Sequence, residues 1–122
     1  MNKITKAHGV SIVIPAFNEE GGIGPVLEKL SEVMQSTSIK YEVLVIDDGS
    51  TDNTAKVAKS YPVTLIQHPV NRGYGAALKT GIRHASYDLI CITDADGTYP
   101  PKYIPDLLSQ MDTFDMVVGA RT

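Results

Sequence analysis

The chain has one cysteine, no cluster of basic residues, no long apolar run and no histidines at metal-ligand spacing. Each absence closes a class of function. Cys91 cannot form an internal disulfide, and within its apolar strand it reads as a small buried hydrophobe of a reducing compartment. A net charge of −3 with no Lys/Arg patch gives no electrostatic footprint for nucleic acid. No stretch approaches the roughly 20 apolar residues of a membrane span. The first nine residues are polar, and the apolar stretch 10–14 is too short for a secretory h-region. A soluble, cytoplasmic protein is therefore expected, touching the cytoplasmic face of a membrane only through sequence beyond Thr122. His8, His68 and His84 are scattered and receive no role, and no Ser–His–Asp or Cys–His arrangement stands out. The first strand–helix junction lacks the dinucleotide GxGxxG, and there is no Walker lysine motif. Without repeats, low-complexity stretches or a linker, the 122 residues suit a single domain.

What is present is a regular alternation. Apolar runs at 10–15, 41–47, 63–68, 88–94 and 115–119 are of strand length and nearly continuous, which suits parallel strands covered on both faces. Between them, segments 22–35, 51–60, 74–85 and 101–111 have helical character. Ser50, Thr51 and Asp52 supply N-cap chemistry for the second, and Pro100-Pro101 opens the fourth. The pattern predicts an α/β fold: a Rossmann-like parallel sheet with helices on both faces. Gly81, in the middle of the third helix, predicts a close helix–sheet contact rather than a binding element.

In such sheets ligands bind outside the carboxyl ends of the strands. The chemistry-bearing residues sit there. Strand one ends in Pro15-Ala16-Phe17-Asn18-Glu19-Glu20 and strand two in Asp47-Asp48-Gly49-Ser50. Strand three ends in Asn71-Arg72-Gly73-Tyr74-Gly75, and strand four in Asp94-Ala95-Asp96. Taken singly, each has a plain structural reading: Asn18 and Glu19 as helix caps, Asp47 to Ser50 as a turn. Gly73 and Gly75 permit close approach of an anion to a helix end, but GxG alone is a weak signal. The strongest pair is Asp94 and Asp96. In extended backbone their i, i+2 spacing puts both carboxylates on one face, where they repel unless a cation or a proton intervenes. Hard oxygen ligands in that position suit Mg²⁺ or Mn²⁺, with phosphate oxygens completing the shell.

As a set, Ile12-Val13-Ile14-Pro15-Ala16-Phe17-Asn18-Glu19-Glu20, Val45-Ile46-Asp47-Asp48-Gly49-Ser50-Thr51-Asp52, Asn71-Arg72-Gly73-Tyr74-Gly75-Ala76-Ala77 and Asp94-Ala95-Asp96-Gly97-Thr98-Tyr99-Pro100-Pro101 resemble the family 2 glycosyltransferases. The closest likeness is to the branch that transfers sugars to dolichyl or polyprenyl phosphate, and Val118-Gly119-Ala120-Arg121 is similar to that branch's next motif. The resemblance implies the nucleotide-binding half of a GT-A fold, a UDP- or GDP-sugar donor, inverting transfer and a metal held by Asp94 and Asp96. By position it puts Pro15, Phe17 and Glu19 around the base and ribose, together with Ile46 and Asp48. Asp48 would be on the base and Asp47 would support the turn, so that Asp48→Asn spares stability. Asp94, Ala95 and Asp96 would meet the ribose, diphosphate and metal, and Arg121 the diphosphate. Many relatives carry Gln where this chain has Thr98. Residues 3–122 would then form the donor-binding part, inactive alone, with the acceptor half and any catalytic base beyond Thr122.

Two other readings use the same residues. Asp94-Ala95-Asp96-Gly97-Thr98 fits the DxDxT pattern of haloacid-dehalogenase-type phosphatases, although there the motif usually lies on the first strand. The chain also fits a nucleotide-binding module without turnover.

Overall fold

The structure, a computed structural model, describes residues 9–96 and 116–118. Strands β1 (Val10–Ala16), β2 (Tyr41–Asp48), β3 (Thr64–His68), β4 (Leu89–Ile92) and β5 (Met116–Val118) form one sheet. Helices α1 (Ile23–Gln35), α2 (Thr54–Lys59) and α3 (Tyr74–His84) connect the first four strands. Every pairing is parallel, in the order β3-β2-β1-β4-β5. The chain steps outward from β1 to β3, and α3 then carries it back to β4 on the other side of β1. Loops leaving β1 and β4 therefore diverge, which opens a crevice at the carboxyl edge.

Alternation along the strands divides the core in two. Val10, Ile12, Ile14 and Ala16 of β1 pack with Val43, Val45, Leu89 and Cys91 beneath Ile23, Leu27, Leu30 and Met34 of α1 and Ala58 of α2. The residues in between, Val13, Leu44, Ile46, Ile90 and Ile92, face Ala77 and Leu78 of α3. Both faces are covered, which is why the strands read as continuous apolar runs rather than alternating ones. Cys91 is fully buried, and burial pushes its thiol up to about 12, so it is an inert packing residue.

Two boundaries among the described residues differ from the sequence reading by more than one residue. Strand β4 stops at Ile92, two residues before the expected end. Thr93 N–H still bonds the Val13 carbonyl at 3.1 Å, and the backbone bends at Ala95 and Asp96. Helix α2 starts at Thr54 rather than Thr51, because the residues ahead of it bond the loop after β1. The expected helix at 101–111 lies outside the described residues. Among those described, no helix is long and apolar enough to cross a membrane.

Gly81 is the close contact expected of it. A Cβ there would collide with a Val13 methyl and come within 3.4 Å of Ile46 Cγ1. In an exposed helix, Gly to Ala adds up to about 1 kcal/mol of stability. Here the sign should reverse: Gly81→Ala lowers the melting temperature, since overpacking a tight core costs about 1–3 kcal/mol. Thermal melts of the two proteins check this, and a more stable alanine variant would refute the contact.

Candidate functional site: a cleft at the β1/β4 switch point

A cleft of about 340 Å³ opens at the carboxyl edge of the sheet. All four strand-end clusters contribute to it. Pro15, Ala16, Phe17 and Glu19 come from β1 and its loop, and Asp48 from the end of β2. Asn71, Gly73, Tyr74 and Ala77 come from the loop before α3 and its first turn, and Asp94, Ala95 and Asp96 from the bend after β4.

The loops after β1 and β2 are tied to each other by side chains of both. Ser50 Oγ accepts the Asn18 N–H at 2.8 Å, and Asn18 Oδ1 accepts the Thr51 N–H at 2.8 Å. Asn18 takes a positive φ of 53° to make this exchange, a conformation Asn tolerates better than most residues. Thr54 Oγ1 accepts the Glu19 N–H at 2.8 Å, and Glu20 Oε1 accepts the Asn53 N–H at 2.8 Å. Asp52 Oδ1 accepts the Thr54 N–H as α2 begins. Ser50 is therefore a clasp between two loops, not the helix cap that the sequence suggested. Asn18 belongs to the same clasp.

Parity separates the two adjacent acids. Asp47 shares the face of Val43 and Val45 and closes the turn by accepting the Ser50 N–H at 3.1 Å. Asp48 shares the face of Leu44 and Ile46 and points toward α3. Its Oδ1 accepts His68 Nδ1–H at 2.8 Å and Arg72 N–H at 2.9 Å, and its Oδ2 accepts Gly73 N–H at 2.9 Å. Burial works to raise this carboxyl, but the Arg72 N–H, the His68 ring and the Gly73 N–H together hold it below the usual carboxylate range. A carboxylate offers about four acceptor positions, so three are used and one, on Oδ2, remains at the cleft. Asp48 thus carries a structural load that the sequence reading did not give it. The expectation that Asp48→Asn spares stability falls on this geometry.

His68 is the residue that sequence reasoning missed. It is 7% exposed and sits beside Asp48 in the β2/β3 register. The carboxylate can only accept, so Nδ1 carries a proton, while Nε2 meets Thr80 Oγ1 at 2.8 Å. Asp48, His68 and Thr80 form a carboxylate–imidazole–hydroxyl chain, which the sequence had not suggested. The Thr80 hydroxyl is not at the cleft; the chain fastens α3 to the sheet and has no exposed nucleophile.

The other expected residues divide clearly. Pro15, Phe17, Glu19, Asp48, Asp94, Ala95 and Asp96 all line the cleft. Ile46 does not: its side chain is fully buried on the α3 face of the sheet, one layer below. Arg121 and Thr98 lie outside the described residues. Asp94 and Asp96 flank the buried Ala95 on a bend rather than in extended strand, yet both still reach the cleft. Gly22, ahead of α1, lets that helix close onto this bend, since a Cβ there would stand 3.0 Å from the Ala95 carbonyl oxygen. Glu19 comes close to the same acids. Burial, and then the charges of Asp96, Asp52 and Asp94, push its carboxyl above the usual range.

This donor set tests whether a cation fits. The residues are hard carboxylates, and the charges of Asp96 and Asp94 are among the causes that raise the Glu19 carboxyl. Among the described residues no three His, Cys, Asp or Glu groups converge tightly enough to hold a metal alone. Mg²⁺-type binding asks for fewer protein ligands: one or two carboxylates share the ion with water and phosphate oxygens.

Residues 11–122 match glycosyl transferase family 2. The chain belongs to this family. It is 35% identical over 127 residues to the undecaprenyl-phosphate 4-deoxy-4-formamido-L-arabinose transferase of Proteus mirabilis, covering 99% of this chain and 39% of that one. Among solved structures it is similar to the glucosyl-3-phosphoglycerate synthase of Mycobacterium tuberculosis in complex with Mn²⁺, UDP and glucosyl-3-phosphoglycerate. That match has a TM-score of 0.73 and 29% identity, over 87% of this chain and 40% of that one. It is also similar to a mannosyltransferase of Pyrobaculum calidifontis in complex with GDP-Man and Mn²⁺, with a TM-score of 0.71 and 31% identity over 89% and 33% of the two chains. These are GT-A glycosyltransferases, and the fold here is the Rossmann-like part of that architecture. The chain spans 36% to 49% of the length of the curated relatives it matches. Membership of this family sets aside the dehalogenase-type phosphatase.

Proposed function

We propose that this chain is the donor-binding part of an inverting glycosyltransferase that uses a UDP- or GDP-sugar with Mg²⁺ or Mn²⁺. The observation that carries the reading is the cleft at the switch point, lined by the acids Glu19, Asp48, Asp94 and Asp96 together with the exposed ring of Phe17. Phe17 and Pro15 suit the flat face of a base, and the remaining acceptor position on Asp48 suits an N–H of its edge. Asp94 and Asp96 would hold the metal beside the diphosphate. Bound there, the ion would neutralise charge on the departing nucleoside diphosphate. The likeness to the Proteus transferase supports a polyprenyl or dolichyl phosphate as acceptor. Such an acceptor arrives already ionised and needs little general-base help. Its binding half, the catalytic base if any, and a membrane contact would belong to the part of such a relative that this chain does not span.

Calorimetric titration of UDP and GDP in Mn²⁺, Mg²⁺ or EDTA tests the reading. Binding is expected with either metal and not in EDTA. Equal affinity in EDTA would remove Asp94 and Asp96 as metal ligands. A longer version of the chain, assayed for sugar transfer to a polyprenyl phosphate, separates an enzyme from a nucleotide-binding module without turnover.

A further inference from the structure

Tyr74 stands in the strand-three cluster, but sequence reasoning assigned it no role of its own. It is the first residue of α3, it is 40% exposed, and it lines the cleft. Tyr74, Ala77 and Gly81 lie on one stripe of the helix at i, i+3 and i+7, the stripe that α3 turns toward the sheet. Ala77 and Gly81 are buried on it. The sheet ends before Tyr74, so the same stripe presents its ring at the strand-end cleft. Phe17, 45% exposed, lines the same cleft from the loop after β1.

The backbone that presents Tyr74 is held firmly. The N–H groups of Arg72 and Gly73, the two residues before it, both bond the Asp48 carboxylate, which His68 and Thr80 anchor from behind. Gly73 takes φ 103°, a conformation open to glycine and costly for other residues, and its carbonyl accepts the Ala77 N–H that starts the helix. A tyrosine placed this rigidly, half in solvent at the mouth of a cleft, loses little conformational entropy when a flat ligand stacks on it.

We infer that Tyr74 is a second aromatic wall of the nucleotide site, stacking on the base from the α3 side while Phe17 stacks from the β1 side. The inference rests on the donor-binding reading and deepens it. A ring wall of this kind acts through its π-face, so it contributes affinity for any base and none for the diphosphate.

The test compares wild type, Tyr74→Phe and Tyr74→Ala by calorimetry in Mn²⁺ with three probes: UDP, GDP and inorganic pyrophosphate, which has no base. Tyr74→Phe should bind all three as wild type does. Tyr74→Ala should weaken UDP and GDP by about tenfold, a change of about 1.4 kcal/mol, and leave pyrophosphate unchanged. Three results overturn the inference while the functional reading stands. Undiminished UDP and GDP binding by Tyr74→Ala shows no wall. An equal loss of pyrophosphate shows general damage to the loop. A loss in Tyr74→Phe as large as in Tyr74→Ala assigns the effect to the hydroxyl. If wild type binds pyrophosphate but gains nothing from a base, or binds no nucleotide at all, the donor-binding reading itself falls.

Discussion

Asp48→Ala is expected to lower the melting temperature by roughly 10–15 °C, a larger loss than any other single change at the strand ends. The substitution removes the acceptor of three hydrogen bonds at once, from His68 Nδ1, Arg72 N and Gly73 N. A bond to a charged partner contributes about 1.5–3 kcal/mol, and a buried donor left without an acceptor costs a further 1–3 kcal/mol. Gly73 lines the cleft and Arg72 is exposed, so their N–H groups regain water, and a net loss of about 3 kcal/mol is the reasonable figure. Asp47→Ala gives up one turn bond, to Ser50 N, and should cost about 1 kcal/mol. The Asp48 contribution also has a pH signature. Its folded pKa is lowered, so the stabilisation is complete above the unfolded value of about 3.9 and is lost as pH falls through the folded value. Melting curves from pH 6 to pH 2.5 should show the gap between wild type and Asp48→Ala closing at the acid end. If Asp47→Ala is the more damaging variant, the parity assignment of the two acids is wrong.

That same pair shows how far the sequence could be read. The five strands and their parallel character followed from continuous apolar runs, because burial on both faces leaves no alternation to misread. The convergence of four loops on one edge followed from the α/β alternation alone. The division of labour between Asp47 and Asp48 did not follow, since it depends on which face carries α3, and crossover geometry decides that. His68 was illegible for a related reason. It is a polar residue closing a short strand, and its meaning comes from lying beside Asp48 in the β2/β3 register and under Thr80. Only the strand order brings those three together. Ser50 and Asn18 look like helix caps by composition. The structure uses them between loops, because their neighbours across 32 residues of chain offer better-placed backbone groups than the helices do. The shortened β4 is the same kind of difference: the apolar run predicted a strand to Asp94, and the bend after Thr93 instead turns Asp94 and Asp96 to the cleft.

A divalent ion with a nucleoside diphosphate should raise the melting temperature, and Asp96→Ala should abolish that rise. Without a cation, Asp94, Asp96 and Glu19 share one end of the cleft, and the charges of Asp96, Asp52 and Asp94 help burial to push the Glu19 carboxyl up. A raised folded pKa in a carboxylate means that ionising it at neutral pH costs stability. Glu19→Gln should therefore stabilise the metal-free protein slightly, most clearly near pH 7, and the gain should vanish below about pH 4, where Glu19 is protonated folded or unfolded. A cation relieves the same repulsion and binds only the folded arrangement, so it stabilises by mass action. At a hundredfold excess over its dissociation constant the gain is about 2.7 kcal/mol. In a domain of this size that corresponds to roughly 10 °C. Nucleoside diphosphate should extend the rise, since phosphate oxygens can complete the shell of an ion held by one or two carboxylates. Asp96→Ala removes one ligand and one repulsive charge together. Its metal-free melting temperature should stay within a few degrees of that of wild type, while Mn²⁺ and Mg²⁺ lose their effect on it. A variant that melts far below wild type in EDTA would mean that the pair of aspartates holds the bend after β4 in place, and the metal site built on it would have to be given up.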